Sequence, residues 1–111
     1  MNATVVRTTT RAGWWTYVDL LKNRQPFVTA GALRGVVIPD GWSAPTTGRL
    51  ASDWCRLLDT GCDYVVYSYQ TPIAWHRPAD DLWIMPTDER YSVTTSRHQS
   101  LIGTAVSQVQ S

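Results

Sequence analysis

Hydroxyl groups, a guanidinium and an imidazole follow one another at Thr94, Thr95, Ser96, Arg97 and His98, with Tyr91 and Ser92 just ahead of them. Downstream, Leu101, Ile102, Ala105, Val106 and Val109 recur at helical spacing, so the polar run falls at the start of a helix. Such a start leaves backbone N–H groups unpaired and carries partial positive charge. It attracts anions, and these side chains would suit a phosphate. The same residues also have a structural use. The hydroxyls can cap the helix, worth ~1 kcal/mol. Ser96 and Gln99 have capping-box spacing. His98 lies on the apolar side with Leu101, where a strand can hydrogen-bond it.

A second polar cluster is Tyr67, Ser68, Tyr69, Gln70 and Thr71. Strand alternation puts Tyr67 and Tyr69 on one face and Ser68 on the other. On an exposed face the two tyrosines would stack on bases. On a covered face they are packing. His76 and His98 are the only histidines. They could pair in acid–base chemistry, or hold a metal with Asp80 or Asp81, but no spacing specifies either. No G-x-S-x-G, H-E-x-x-H, Walker-type or G-x-G-x-x-G motif occurs. The expectation is no catalytic residue, no metal and no cofactor. The pairs Asp80-Asp81 and Asp88-Glu89 read as solvated turns.

The aromatic content is skewed to six Trp and five Tyr against one Phe. Trp and Tyr join an apolar body to a polar handle and suit surfaces that are part buried and part wet. Trp42 with its flanking loop is the first candidate anchor for a protein partner, and Trp14 or Trp15 the second. The chain carries a net charge of +1, which gives no global field toward nucleic acid or membrane. Its halves differ. Residues 1–50 hold six Lys or Arg against two Asp, and residues 51–111 hold four Arg against seven acidic residues. The basic half, with the 94–98 helix start and Tyr67 and Tyr69, supports nucleic-acid binding as the alternative. Cys55 and Cys62 have no second pair to complete a zinc site and read as free thiols of a cytoplasmic protein. No apolar run is long enough for a membrane span.

The elements that position these residues read as an α+β domain. At 111 residues with 43% hydrophobic and 17% charged, one domain with a real core is expected. Residues 1–12 look like an arm or edge strand, and 13–111 like the domain itself. Trp14, Tyr17, Val18 and Leu21 predict one helix face, stopped by Pro26. Phe27–Ala30 and Leu33–Ile38 predict a hairpin turning at Gly31. Residues 41–48 form a loop that exposes Trp42, and 49–59 a short helix ended by Gly61. Asp63–Tyr69, Ile73–His76 and Leu82–Met85 predict an antiparallel meander. The amphipathic segment 95–109 is expected to lie across it.

Three blocks carry a resemblance: VVYSYQTPIAW at 65–75, WIMP at 83–86 and YSVTTSRHQSLI at 91–102. Together they resemble an uncharacterised family of small proteins from bacteriophages of actinobacteria, with archaeal relatives. The likeness is looser in the first half, through the Trp-rich helix, FVTAGALRG and Gly48-Arg49-Leu50. The resemblance implies a phage or mobile-element origin and a shared fold, with no assigned reaction. Two functions are then expected from different classes. One is a non-enzymatic phage accessory protein that docks on a host or phage protein. The other is a nucleic-acid binder. A homodimer through a free sheet edge is compatible with both.

Overall fold

The meander of residues 63–85 is one half of a larger sheet. The computed structural model describes residues 5–9, 13–29, 32–40, 52–86 and 93–110, with side chains from 96 onward in the last segment. Six strands lie side by side in chain order among these residues. They are β1 (Val6–Thr8), β2 (Phe27–Thr29), β3 (Leu33–Val37), β4 (Tyr64–Ser68), β5 (Thr71–Arg77) and β6 (Leu82–Ile84). The helices are α1 (Trp14–Lys22), α2 (Ser52–Leu58) and α3 (Val93–Val109). The class is α+β, as expected, but the sheet is not antiparallel throughout. β1 and β2 run parallel, with Val6 opposite Phe27 and Thr8 opposite Thr29. A parallel pair needs a crossover, and α1 supplies it.

Helix α1 starts at an N-cap glycine, Gly13, and ends on a Schellman arrangement. The Gln25 N–H donates to the Leu20 carbonyl (2.8 Å) and the Arg24 N–H to the Leu21 carbonyl (3.1 Å). Arg24 occupies the left-handed position, φ 46°, where glycine is the usual residue. The buried face differs from the expected one. Tyr17, Leu20 and Leu21 are buried and Val18 packs against them, whereas Trp14 turns outward. Leu20, which the spacing argument omitted, takes the place assigned to Trp14.

Two apolar layers sandwich the sheet. On one face α1 and α3 share the cover: Tyr17, Leu20 and Leu21 meet Phe27, Leu33, Tyr64, Val66, Ala74 and Trp83, with Ile102, Ala105 and Val106 of α3. Residues 95–109 therefore do seal one face of the meander, but with α1 beside them. On the other face α2 brings Trp54, Leu57 and Leu58 onto Val65, Tyr67, Trp75 and Ile84. Each fully buried Leu, Ile, Val or Phe contributes ~1.5–3 kcal/mol relative to exposure. Cover on both sides explains why all five residues of β4 are buried.

Pro72 lies inside β5, where the sequence suggests an interruption. It is accommodated beside an irregularity: the β4–β5 register shifts between Val66 and Tyr67, leaving Pro72 opposite Tyr67 and Thr71 opposite Ser68. At the far edge, the Trp83 N–H on β6 donates to the Gln110 side-chain oxygen (3.1 Å). Helix α3 begins at Val93, so Ser96 lies within its first turn rather than at the cap. Trp42 and its loop, together with Gly31, Arg11, Arg49, Tyr91 and Ser92, lie outside the described residues.

Candidate functional site

The predicted anion site divides on inspection. Ser96 and Arg97 are exposed on the first turns of α3, and His98 is buried. The side chains of Thr94 and Thr95 lie outside the description. His98 Nδ1 is 2.7 Å from Ser68 Oγ of β4, and Ser68 is wholly buried. A buried hydroxyl against an imidazole has the composition of a nucleophile and base, but a substrate cannot reach Oγ from solvent. The pair fastens α3 to the sheet, which is the structural role open to His98 from the sequence.

Burial pushes the His98 proton affinity below its ordinary value of 6.5. The unfolded chain then takes up a proton more readily than the folded one. This pair's contribution is complete above the ordinary value and declines as pH falls through it, levelling only below the folded value. Urea unfolding at about pH 5 and pH 7.5 checks this: wild type should lose more stability on acidification than His98→Gln does. Ser68→Ala should cost about 1–3 kcal/mol near neutral pH, because His98 Nδ1 is left buried without its partner.

The two tyrosines do not form a stacking platform. Tyr67 is 1% exposed and faces α2, where the Arg34 guanidinium sits 4.4 Å above its ring. Burial pushes its hydroxyl up to about 12, against a smaller opposing pull from Arg34. Tyr69 lies beyond β4, in the turn to β5, with φ 58° and its side chain exposed. Ser68, as alternation requires, points to the opposite face from Tyr67.

The two histidines are separate. His76 stands opposite Tyr64 at one end of β4, whereas His98 reaches Ser68 at the other. Four residues of strand put these ends ~13 Å apart. His76 instead lies between two carboxylates: Nδ1 is 2.7 Å from Asp63 Oδ1 and Nε2 is 2.7 Å from Asp81 Oδ1. Carboxylates on opposite ring nitrogens cannot converge with the ring on a single ion. No metal-holding group of three His, Cys, Asp or Glu occurs among the described residues. Asp80 is engaged elsewhere: Arg77 donates to both its oxygens (2.8 and 2.7 Å), which holds that carboxyl below its ordinary range. Asp63 is the partner that sequence spacing does not suggest. It is thirteen positions from His76, and only the β4–β5 pairing joins them.

Among the described residues the arginines singled out from the sequence divide between the two faces of the sheet. Arg7, Val28, Arg34 and Tyr67 are successive cross-strand neighbours, so Arg7 and Arg34 share the α2 face. Arg97 is on α3, across the sheet. Neither Cys55 nor Cys62 is in a disulfide, and burial pushes Cys62 up to about 11, which makes it a weak nucleophile. No helix among the described residues is long and apolar enough to cross a membrane.

Trp14 and Trp15 form an exposed aromatic pair at the start of α1. They are 40% and 63% exposed, and their rings meet edge to face at 5.8 Å and 75°. The Trp15 ring folds back over Gly13, where any Cβ would strike it. An indole so placed has already lost much of its rotamer freedom, which lowers the entropy cost of docking.

The family model described as a family of unknown function, DUF8033, matches residues 55–110, just over half of the 111. The matched stretch contains the Ser68–His98 and Asp63–His76–Asp81 contacts, but not Arg24 or the tryptophan pair. No curated protein and no solved structure matches the chain.

Proposed function

The chain belongs to the family of unknown function DUF8033, and we propose that it is a non-enzymatic binding protein, a bacteriophage accessory factor acting in the host cytoplasm. It docks on a host or phage protein through Trp14 and Trp15. The observation that carries this reading is the 63% exposure of an indole held over a glycine and against a second indole. Large apolar rings in water are anchors in waiting, because a partner that covers them gains their full burial. The absence of catalysis is supported by how the imidazoles are used, one fastening α3 to Ser68 and the other held at both nitrogens. Phage origin rests on the three resembling blocks in the second half.

The test uses the full chain as bait in an actinobacterial host lysate, beside Trp15→Ala and Trp14→Ala. Both residues are exposed, so folding should change by less than about 0.5 kcal/mol. A stoichiometric partner recovered by wild type should bind the Trp15 variant at least about thirtyfold more weakly, the scale of a hot-spot residue. A partner retained in full when Trp14→Ala and Trp15→Ala are combined, or no stoichiometric partner at all, rejects the reading. Nucleic-acid binding keeps one observation in its favour, the shared face of Arg7 and Arg34. It requires affinity for oligonucleotides that weakens steeply with salt and is reduced by Arg7→Ala.

A further inference from the structure

His76, Asp63, Asp81 and Arg24 meet at the end of the sheet, and the docking role above uses none of them. His76 is 1% exposed, yet both ring nitrogens lie 2.7 Å from carboxylate oxygens. A carboxylate only accepts. Both contacts are therefore hydrogen bonds only while both ring nitrogens carry hydrogen. Arg24 stands over the two acids, its Nε 4.0 Å from Asp63 Oδ2 and its Nη2 3.8 Å from Asp81 Oδ1. With the ring doubly protonated, two cations face two carboxylates and the group is neutral. With one proton gone it carries a net negative charge, and one carboxylate loses its donor next to a ring sealed from water.

The remaining groups around the ring do not replace that proton. Lys22 of α1 lines the same cleft as Arg24 and Asp81, but is exposed. Arg77 and Asp80 satisfy each other. The Trp83 indole lies against the imidazole at 5.2 Å, the Tyr64 hydroxyl donates to the Gln25 carbonyl, and Gln110, just past α3, is neutral and holds the Trp83 N–H. The two outer members are both non-glycine residues in the left-handed region, Arg24 at φ 46° and Asp81 at φ 52°. Such backbone persists where surrounding contacts over-determine it.

We propose that Asp63, His76 and Asp81 form a proton-operated latch. Doubly protonated, the ring ties the β5–β6 turn to the head of β4 and, through Arg24, to the end of α1. Loss of one proton frees Asp81. It is the member that leaves because its side chain is 83% exposed and rehydrates easily, whereas Asp63 also stays joined to β5 through its N–H and the His76 carbonyl (3.1 Å). The turn then loosens, and β6 with it.

The experiment is NMR on the 15N-labelled full chain across a pH series. It follows the His76 ring nitrogens and the amide hydrogen exchange of Leu82, Trp83 and Ile84, corrected for intrinsic rates. Both nitrogens should carry hydrogen at the acid end. As one is lost, β6 exchange should accelerate about tenfold, the scale of one charge-assisted hydrogen bond. In His76→Gln the step should vanish. If that buried variant does not fold, Asp81→Ala, which removes the acceptor at an exposed side chain, should show fast β6 exchange at every pH. A ring with one hydrogen throughout, a titrating ring with unchanged β6 exchange, or a step that survives in either variant overturns the latch.

Discussion

Replacing Trp75 with alanine is expected to cost about 3–5 kcal/mol, the range for deleting a large buried aromatic. Trp75 is wholly buried on β5 and packs edge to face against Trp54 of α2 at 6.4 Å and 75°. A helix of seven residues cannot persist alone. Its place over the sheet depends on Val65, Tyr67, Trp75 and Ile84, and Trp75 is the largest of these. The damage should therefore be uneven, with amide protection across α2 falling before that of α3. Phenylalanine at the same position should cost much less, about 1–2 kcal/mol, although it too is smaller than tryptophan. The reason is the indole N–H, which is buried and finds no acceptor among the described residues. Phenylalanine removes that unmet donor while keeping a ring on α2. Urea unfolding of the two variants checks the ordering, and a phenylalanine variant as unstable as the alanine variant would show that the N–H is satisfied.

Gly35→Ala should cost about 2–3 kcal/mol, although it adds a single methyl group. Gly35 lies on β3 opposite Phe27 and Val66, and a Cβ there would run into the Tyr64 hydroxyl and the Phe27 ring. Neither can withdraw cheaply. Phe27 is wholly buried beneath α1, edge to face with Tyr17 at 5.3 Å. The Tyr64 hydroxyl donates to the Gln25 carbonyl at 2.8 Å, inside the turn that ends α1. Overpacking of this kind forces off-rotamer side chains or backbone shifts. Tyr64→Phe removes the nearest obstacle, so the double variant should recover part of the loss, and the coupling is read from a double-mutant cycle. Equal losses in the presence and absence of the hydroxyl would place the strain on Phe27 alone.

The parts of the fold legible in the sequence are those whose signal is local. The hairpin predicted at 27–30 and 33–38 is found at Phe27–Thr29 and Leu33–Val37, and the strand predicted at 63–69 is Tyr64–Ser68. Apolar spacing in α3 places its contacts well, since Ile102, Ala105 and Val106 are buried. What fails is what depends on distant partners. Nothing near Val6–Thr8 announces a parallel neighbour about twenty residues on, because the pairing is made by α1 packing back over the sheet. Trp14 satisfies the helical period of α1 and still faces outward, since the apolar stripe also admits Leu20 and only the packed sheet decides between them. The site follows the same division. His98 against a strand was readable from its place beside Leu101. The Asp63–His76 contact was not, because antiparallel register, rather than any motif, sets it.

The Gln110 amide oxygen takes up the outward N–H of Trp83 on the last strand. Lateral extension of a β-sheet into a fibre needs two receptive margins on every copy, one to give and one to take. Among the described residues the outward donor of β6 already has a side-chain acceptor from the same chain, while β1 ends the other margin with three residues. Gln110, just past α3, thus withdraws that donor from any strand that would add to β6.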